Sequence, residues 1–345
     1  MIESPRTLIE HYDISVTIGR RKPQEGRTTE LSRAGFSAIR IWTLALLSCR
    51  LILCLGTTDQ ASFAQKVALT FDDLPAHGTL PPGVSRVDVA NEIIKALQDS
   101  HASKIYGFIN AEKLRQAPDD AEVLKLWRNA GFLLGNHTYS HMDINANSVD
   151  AFEQNIQANE PVLEAMMVGE DWRWFRYPFL WEGDTLEKRR AVRAYLQLHR
   201  YRVAQVTLDF EDYAWNDPYA RCVATKNTQA IERLKASYLS TASEYISLGQ
   251  QMANLIYGRD IKHVMLLHLG AFDATMVPQL LELLKQRRFS LVTLEDAESD
   301  PAYKSDPNLP LKWEGTLLEQ MMVAKHLQTP PHAEKPLREL ESFCR

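Results

Sequence analysis

The sequence predicts an α/β fold, a distorted (β/α) barrel of about seven parallel strands, and three observations carry that prediction. From residue 66 to residue 294, short apolar runs alternate with longer amphipathic ones, the order expected of a parallel sheet with helical crossovers. Seven such units fit a closed or nearly closed barrel, with an open sheet as the alternative. Five of the runs are followed closely by polar side chains, and the carboxyl ends of parallel strands are where such folds build their sites.

The elements follow in order. Strands are predicted over 66–71, 105–109, 132–135, 174–176, 201–208, 263–268 and 290–294, the fifth rich in β-branched and aromatic residues. A helix over 87–97 places Val89, Ile93, Ile94 and Leu97 at helical spacing. A second, over 121–130, stops at Gly131. Further helices are expected over 149–167, with a break near Pro161, over 186–198, over 230–256 as one helix or two, and over 278–285. Past Asp300 proline becomes frequent, and residues 313–327 read as one terminal helix on the outside.

The 345 residues are 45% apolar and 24% charged, ordinary values for a chain with a large core. A net charge of −5 with no basic stripe argues against a nucleic-acid partner. Residues 1–64 form a separate leader: a polar, Arg-rich start, an apolar stretch from Ile41 to Gly56, then Ala61-Ser62-Phe63-Ala64. That order reads as a secretory signal cut after Ala64, which predicts a secreted or periplasmic protein with no membrane span once the signal is removed. The leader carries 8 Lys+Arg against 6 Asp+Glu, whereas the remainder is net −7. The expected organisation is therefore leader 1–64, catalytic domain 65–300 and extension 301–345. Of the four cysteines, Cys222 and Cys344 remain after cleavage, and spacing alone leaves their pairing open.

Chemistry concentrates at the strand ends. Thr70-Phe71-Asp72-Asp73 closes the first strand, and His137-Thr138-Tyr139-Ser140-His141 follows the third. Two imidazoles and one carboxylate form a ligand set for a divalent metal with open coordination positions. The second carboxylate stays free as a general base. Taken alone, an Asp pair also suits a turn, and a lone His pair is commonly accidental. The halves gain weight from Arg176 at the end of the fourth strand, Asp209 and Asp212 after the fifth and His268 at the end of the sixth. The spacing leaves Asp209 and Asp212 both open as partners of His268. His77, five residues past Asp72, reads more readily as a surface-loop residue than as a cleft-lining one, and His101, His199 and His263 read as structural or exposed.

With these motifs in order, residues 67–296 resemble the polysaccharide deacetylases with NodB homology, carbohydrate esterase family four. The remaining motifs are Arg176-Tyr177-Pro178-Phe179, Asp209-Phe210-Glu211-Asp212-Tyr213 and Leu267-His268. The resemblance implies a hydrolase that removes N- or O-acetyl groups from sugars. It implies Asp73, His137 and His141 as metal ligands, Asp72 as base and His268 as acid. Arg176 would orient Asp72, Asp212 would orient His268, and the backbone N–H of Phe179 would hold the oxyanion. The ligand set suits Zn²⁺, and also Co²⁺, Mn²⁺ or Fe²⁺. Leu74 and Leu180 stand where the family usually carries Gly, and Tyr213 where Trp is common. Trp181 on a predicted loop, with Tyr139, is the expected aromatic contact for a sugar ring. Competing readings are a hydrolase of a small amide or cyclic ureide and a non-catalytic glycan binder.

Overall fold

The computed structural model describes residues 65–117, 120–310, 312–313 and 315–345. The predicted leader, its cleavage site, Cys49 and Cys54 lie outside the described residues. A ten-residue strand, β1 (Gln65–Leu74), is the centre of the sheet. Val67, Ala68, Leu69 and Phe71 are all withdrawn from solvent, as expected for a parallel strand covered on both faces. β1 pairs in parallel with β2 (Tyr106–Ile109), β6 (His263–His268) and, through its first residues, β7 (Phe289–Leu291). Beyond β2 come β3 (Leu133–Asn136), β4 (Trp174–Phe175) and β5 (Arg202–Val203), again parallel.

All seven predicted strands are present, but the fifth is much shorter than expected. Only Arg202 and Val203 pair with β4, and Leu208 then bridges Met265 of β6. Ala204 N donates to Phe175 O at 2.8 Å, while Leu208 N donates to Val264 O at 3.0 Å. One irregular stretch thus reaches from one edge of the sheet to the other and draws it into a distorted barrel. Gly249 makes room for this closure, because a Cβ there would lie 2.3 Å from Leu208 Cδ2.

The helices are α1 (Arg86–Asp99), α2 (Glu112–Gln116), α3 (Ala121–Asn129), α4 (Val149–Met166), α5 (Leu186–Leu198), α6 (Asn216–Ala224), α7 (Thr228–Tyr257), α8 (Ala271–Gln286), α9 (Leu294–Glu298), α10 (Leu317–Ala324) and α11 (Leu337–Ser342). Side-chain caps start several of them: Ser85 with Asp88 in a capping box, Ser148 on α4, Thr185 on α5 and Asn227 on α7. The break expected near Pro161 does not occur. α4 continues through it because Phe152, Ile156 and Leu163 anchor one buried face on both sides of the proline. α7 is one helix of 30 residues, its buried stripe unbroken from Ala230 to Ala253. α8 begins seven residues before the expected start at 278. Its first turn is capped from a distance, Asn216 Oδ1 accepting from Phe272 N at 2.7 Å.

The segment after Asp300 also differs from the single helix expected over 313–327. It holds the shorter α10 and then α11. Leu318 and Met322 of α10 are buried, and Leu317 N donates to Val206 O at 2.8 Å. Cys344, beyond α11, is disulfide-bonded to Cys222 of α6 with Cα atoms 5.1 Å apart. Among the described residues no helix is long and apolar enough to cross a membrane.

Candidate active site

Strand register builds the floor of the site. Asp72 of β1 and His268 of β6 are direct partners across two neighbouring strands. Asn136 of β3 pairs with Phe175 of β4, so the next residues along, His137 and Arg176, also become neighbours. Asp72, Asp73, His137, His141 and His268 line one pocket of about 160 Å³ at the carboxyl ends of the strands.

Asp73, His137 and His141 each turn a ligand atom inward, all within 4.8 Å of one another. Asp73 Oδ1 lies 3.7 Å from His141 Nε2 and 4.0 Å from His137 Nε2. Two ligands each about 2.1 Å from one ion are at most about 4.2 Å apart, so both distances suit a shared cation. Three further features fit a metal. Asp73 Oδ1 is buried and accepts no hydrogen bond, with Lys113 Nζ at 3.3 Å as its counter-charge. His137 Nδ1 lies 2.8 Å from the Arg176 carbonyl, which fixes that nitrogen as the donor and leaves Nε2 free to coordinate. Burial holds both imidazoles below their usual pKa, hence neutral. Burial opposes ionisation of Asp73, but positive charge nearby, Lys113 foremost, overcomes it and keeps the carboxyl well below its usual range.

The other carboxylate is held differently. Arg176, fully buried, donates from Nη1 to both oxygens of Asp72 at 3.2 Å, from Nη2 to Thr70 Oγ1 at 3.1 Å and from Nε to Ala204 O at 2.7 Å. Its guanidinium lies over the Phe108 ring at 4.7 Å. Burial outweighs this cation, so Asp72 is raised to about 6, a value suited to a base that must be ionised near neutrality yet able to take a proton.

His268 is the opposite case. Burial would lower it, but Asp212, Asp73 and Asp72 together push it up to about 10. Asp212 Oδ1 lies 2.8 Å from His268 Nδ1, and its Oδ2 accepts from the His268 backbone N–H at 2.7 Å. The spacing leaves Asp209 open beside the favoured Asp212; the structure brings Asp212 to His268 and turns Asp209 to accept from Glu211 N at 2.8 Å. Behind Asp212 lies a group that no sequence motif marks. Asp273 is fully buried and raised well above the carboxylate range, by burial first and then by Asp212. It accepts from Asn216 Nδ2 at 2.9 Å and from the Tyr238 hydroxyl at 3.2 Å, and as a neutral acid it can donate to Asp212.

The rim departs more from expectation. Phe179 and Leu180 do line the pocket, in a 3₁₀ turn where Leu180 N and Trp181 N donate back to Tyr177 O and Pro178 O. Both hold left-handed backbone, φ 59° and 54°, as do Asp73 at 67°, His141 at 53° and Glu211 at 58°. Non-glycine residues rarely adopt this conformation, and such strain gathers at functional sites. Trp181, expected to contact substrate, is instead partly buried against the core, its ring 4.8 Å from that of Phe179, and is outside the pocket lining. Tyr139 is also outside the lining. Its backbone is tied down, the N–H donating to Asn155 O and the carbonyl accepting from Glu112 N. His77, read as a surface-loop residue, lines the pocket, its ring 5.0 Å from that of His268 and its Nε2 3.7 Å from Asp73 Oδ2. His77 N donates to Leu269 O, which pins this loop over the end of β6. Burial and the charge on His268 lower His77 to about 4. Tyr213 and Asp209 complete that side.

The sequence pattern of the family described as polysaccharide deacetylase matches residues 60–199. This stretch is similar to the polysaccharide deacetylases. A chitin deacetylase of Arthroderma benhamiae is 24% identical over 169 residues, 49% of this chain and 41% of that one. The chain thus aligns with under half the length of that relative. Among solved structures, the chitin deacetylase of Colletotrichum lindemuthianum is 19% identical with a TM-score of 0.47, covering 73% of this chain and 92% of its own. A family-four carbohydrate esterase pseudoenzyme of Bacillus anthracis is 15% identical with a TM-score of 0.47, covering 68% and 66%. The stretch matched to the polysaccharide deacetylases carries Asp72, Asp73, His137, His141 and Arg176. Asp212 and His268 lie beyond it: His268 of β6 lines the same pocket, and Asp212, in the turn before α6, holds its Nδ1 from behind.

Proposed function

We propose that this chain is a divalent-metal-dependent deacetylase that hydrolyses acetyl groups, N-linked ones foremost, on a cell-wall or extracellular glycan. The observation that carries this reading is the placement of a carboxylate and an imidazole as register partners beside one candidate metal site. Asp72, at about 6, and His268, at about 10, sit on adjacent strands and flank the pocket where Asp73, His137 and His141 converge.

In this reading Asp73, His137 and His141 hold the ion, with Zn²⁺ the best match to two imidazoles and a carboxylate. A divalent ion bound there supplies Lewis acidity toward an acetyl carbonyl and makes water easier to deprotonate. Asp72 removes a proton from the attacking water, and Arg176 keeps its carboxylate oriented. The Phe179 backbone N–H is the oxyanion donor, a contribution of about 3–4 kcal/mol where such donors have been removed. As the C–N bond breaks, His268 gives its proton to the departing amine, while Asp212 holds the imidazole in place. Acetate and a free amino sugar result.

Export is part of the reading. It is supported by the order of charged, apolar and small residues in the leader, and by the Cys222–Cys344 bond, since disulfides persist in oxidising compartments. The test is acetate release from N-acetylated chito-oligosaccharides. Release by the wild type, lost on chelation and reduced about 10²–10⁴-fold in Asp72→Asn, is the expected result. Release indifferent to both treatments would overturn the proposal.

A further inference from the structure

A second cleft, of about 420 Å³, adjoins the catalytic pocket and shares His77 and Tyr213 with it. Resting on the glycan reading above, we propose that this cleft binds a further sugar unit of the substrate chain, so that the C-terminal segment helps to select oligomers over monomers.

Size is the first reason. The catalytic pocket, about 160 Å³, is below the roughly 300 Å³ at which small-molecule sites begin, so it admits an acetylated substituent but not a run of rings. The neighbouring cleft falls inside that range, and the two meet at His77 and Tyr213. A chain entering the pocket by its acetyl group would carry its next ring toward that shared edge.

Lining chemistry is the second. The turn before α6 and α6 itself offer Tyr213, Asp217 and Pro218, and α11 with the chain end offers Leu337, Glu341 and Arg345, so apolar and charged groups occur together on both segments. A sugar ring has a matching combination, with C–H faces and a rim of hydroxyls that both donate and accept.

The third reason is how firmly the far wall is held. α11 and the residues after it are fixed by the Cys222–Cys344 disulfide. Arg221 also donates to the carbonyls of Leu340 at 3.3 Å, Glu341 at 3.2 Å and Phe343 at 3.1 Å. Leu340 and Phe343 are buried in the core, and Lys335 pairs with Glu211 at 2.7 Å beside the turn that carries Asp212. A wall held at several points is preorganised for a ligand.

The test compares tetra-N-acetylchitotetraose with a small acetyl ester that fills only the catalytic pocket. Leu337→Trp narrows the cleft from a half-exposed position, and Glu341→Ala removes a hydroxyl acceptor. Leu337→Trp should raise KM for the tetramer about tenfold and Glu341→Ala a few-fold, with ester turnover within about twofold of wild type for both. A tetramer KM insensitive to both variants would overturn the cleft assignment, as would equal losses on both substrates. Failure of the glycan reading looks different: the wild type would then hydrolyse the ester and release no acetate from the tetramer.

Discussion

The floor and the rim of this site are built in different ways. The floor is carried by strand ends: Asp72 and His268 are register partners, and His137 and Arg176 follow a second register pair. Their positions are set by backbone hydrogen bonds among the buried strands β1, β3, β4 and β6, so side-chain identity and strand order together place them. The rim is carried by loops and by the C-terminal segment: His77 through a bond to Leu269, Tyr213 through a turn braced by Lys335, and the far wall through a disulfide. The proposed chemistry rests on the part the sheet fixes, and the proposed selectivity on the part that local tethers fix.

The largest effect should come from the floor. His268→Ala should lower deacetylation of an amide substrate about 10²–10⁴-fold, and the loss should be smaller with an activated ester, whose leaving group needs no proton. An equal loss on both substrates would argue that His268 acts through structure. The pH profile tests the same division. Asp72 must be ionised and His268 protonated, so activity should rise as pH passes about 6 and fall as it approaches about 10. Asp212→Asn removes the main anion that raises His268, so the alkaline limb should move to lower pH while the acid limb stays. An unmoved alkaline limb would detach Asp212 from the acid.

The floor was legible in the sequence because each reacting group directly ends or follows a strand. The rim was not. His77 is five residues past Asp72 on a loop whose course depends on a bond to the end of β6. The closing stretch 202–208 has strand-like residues yet pairs at only a few points, because it crosses between two sheet edges. α6 has no counterpart among the predicted helices; its first residue, Asn216, also caps α8. Trp181 illustrates the converse: an aromatic residue on a loop suggested sugar contact, and tertiary packing claims it for the core.

A middle-sized effect should come from the tether. Cys344→Ser should lower stability by about 2–5 kcal/mol, seen as a lower Tm, while ester turnover well below the new midpoint stays near wild type. Comparable losses in Tm and ester turnover would show that the floor depends on the rim. The smallest effect should be that of Trp181→Phe. It should leave tetramer KM within about twofold of wild type, because the ring is outside the pocket. A large rise in KM with unchanged Tm would return Trp181 to the substrate.

The convergence of Asp73, His137 and His141 is tested most directly by metal stoichiometry, measured by elemental analysis after reconstitution and gel filtration. One equivalent of Zn²⁺ should remain on the wild type, and essentially none on Asp73→Ala or His141→Ala variants that retain the wild-type circular dichroism. One equivalent retained by both variants would contradict the account.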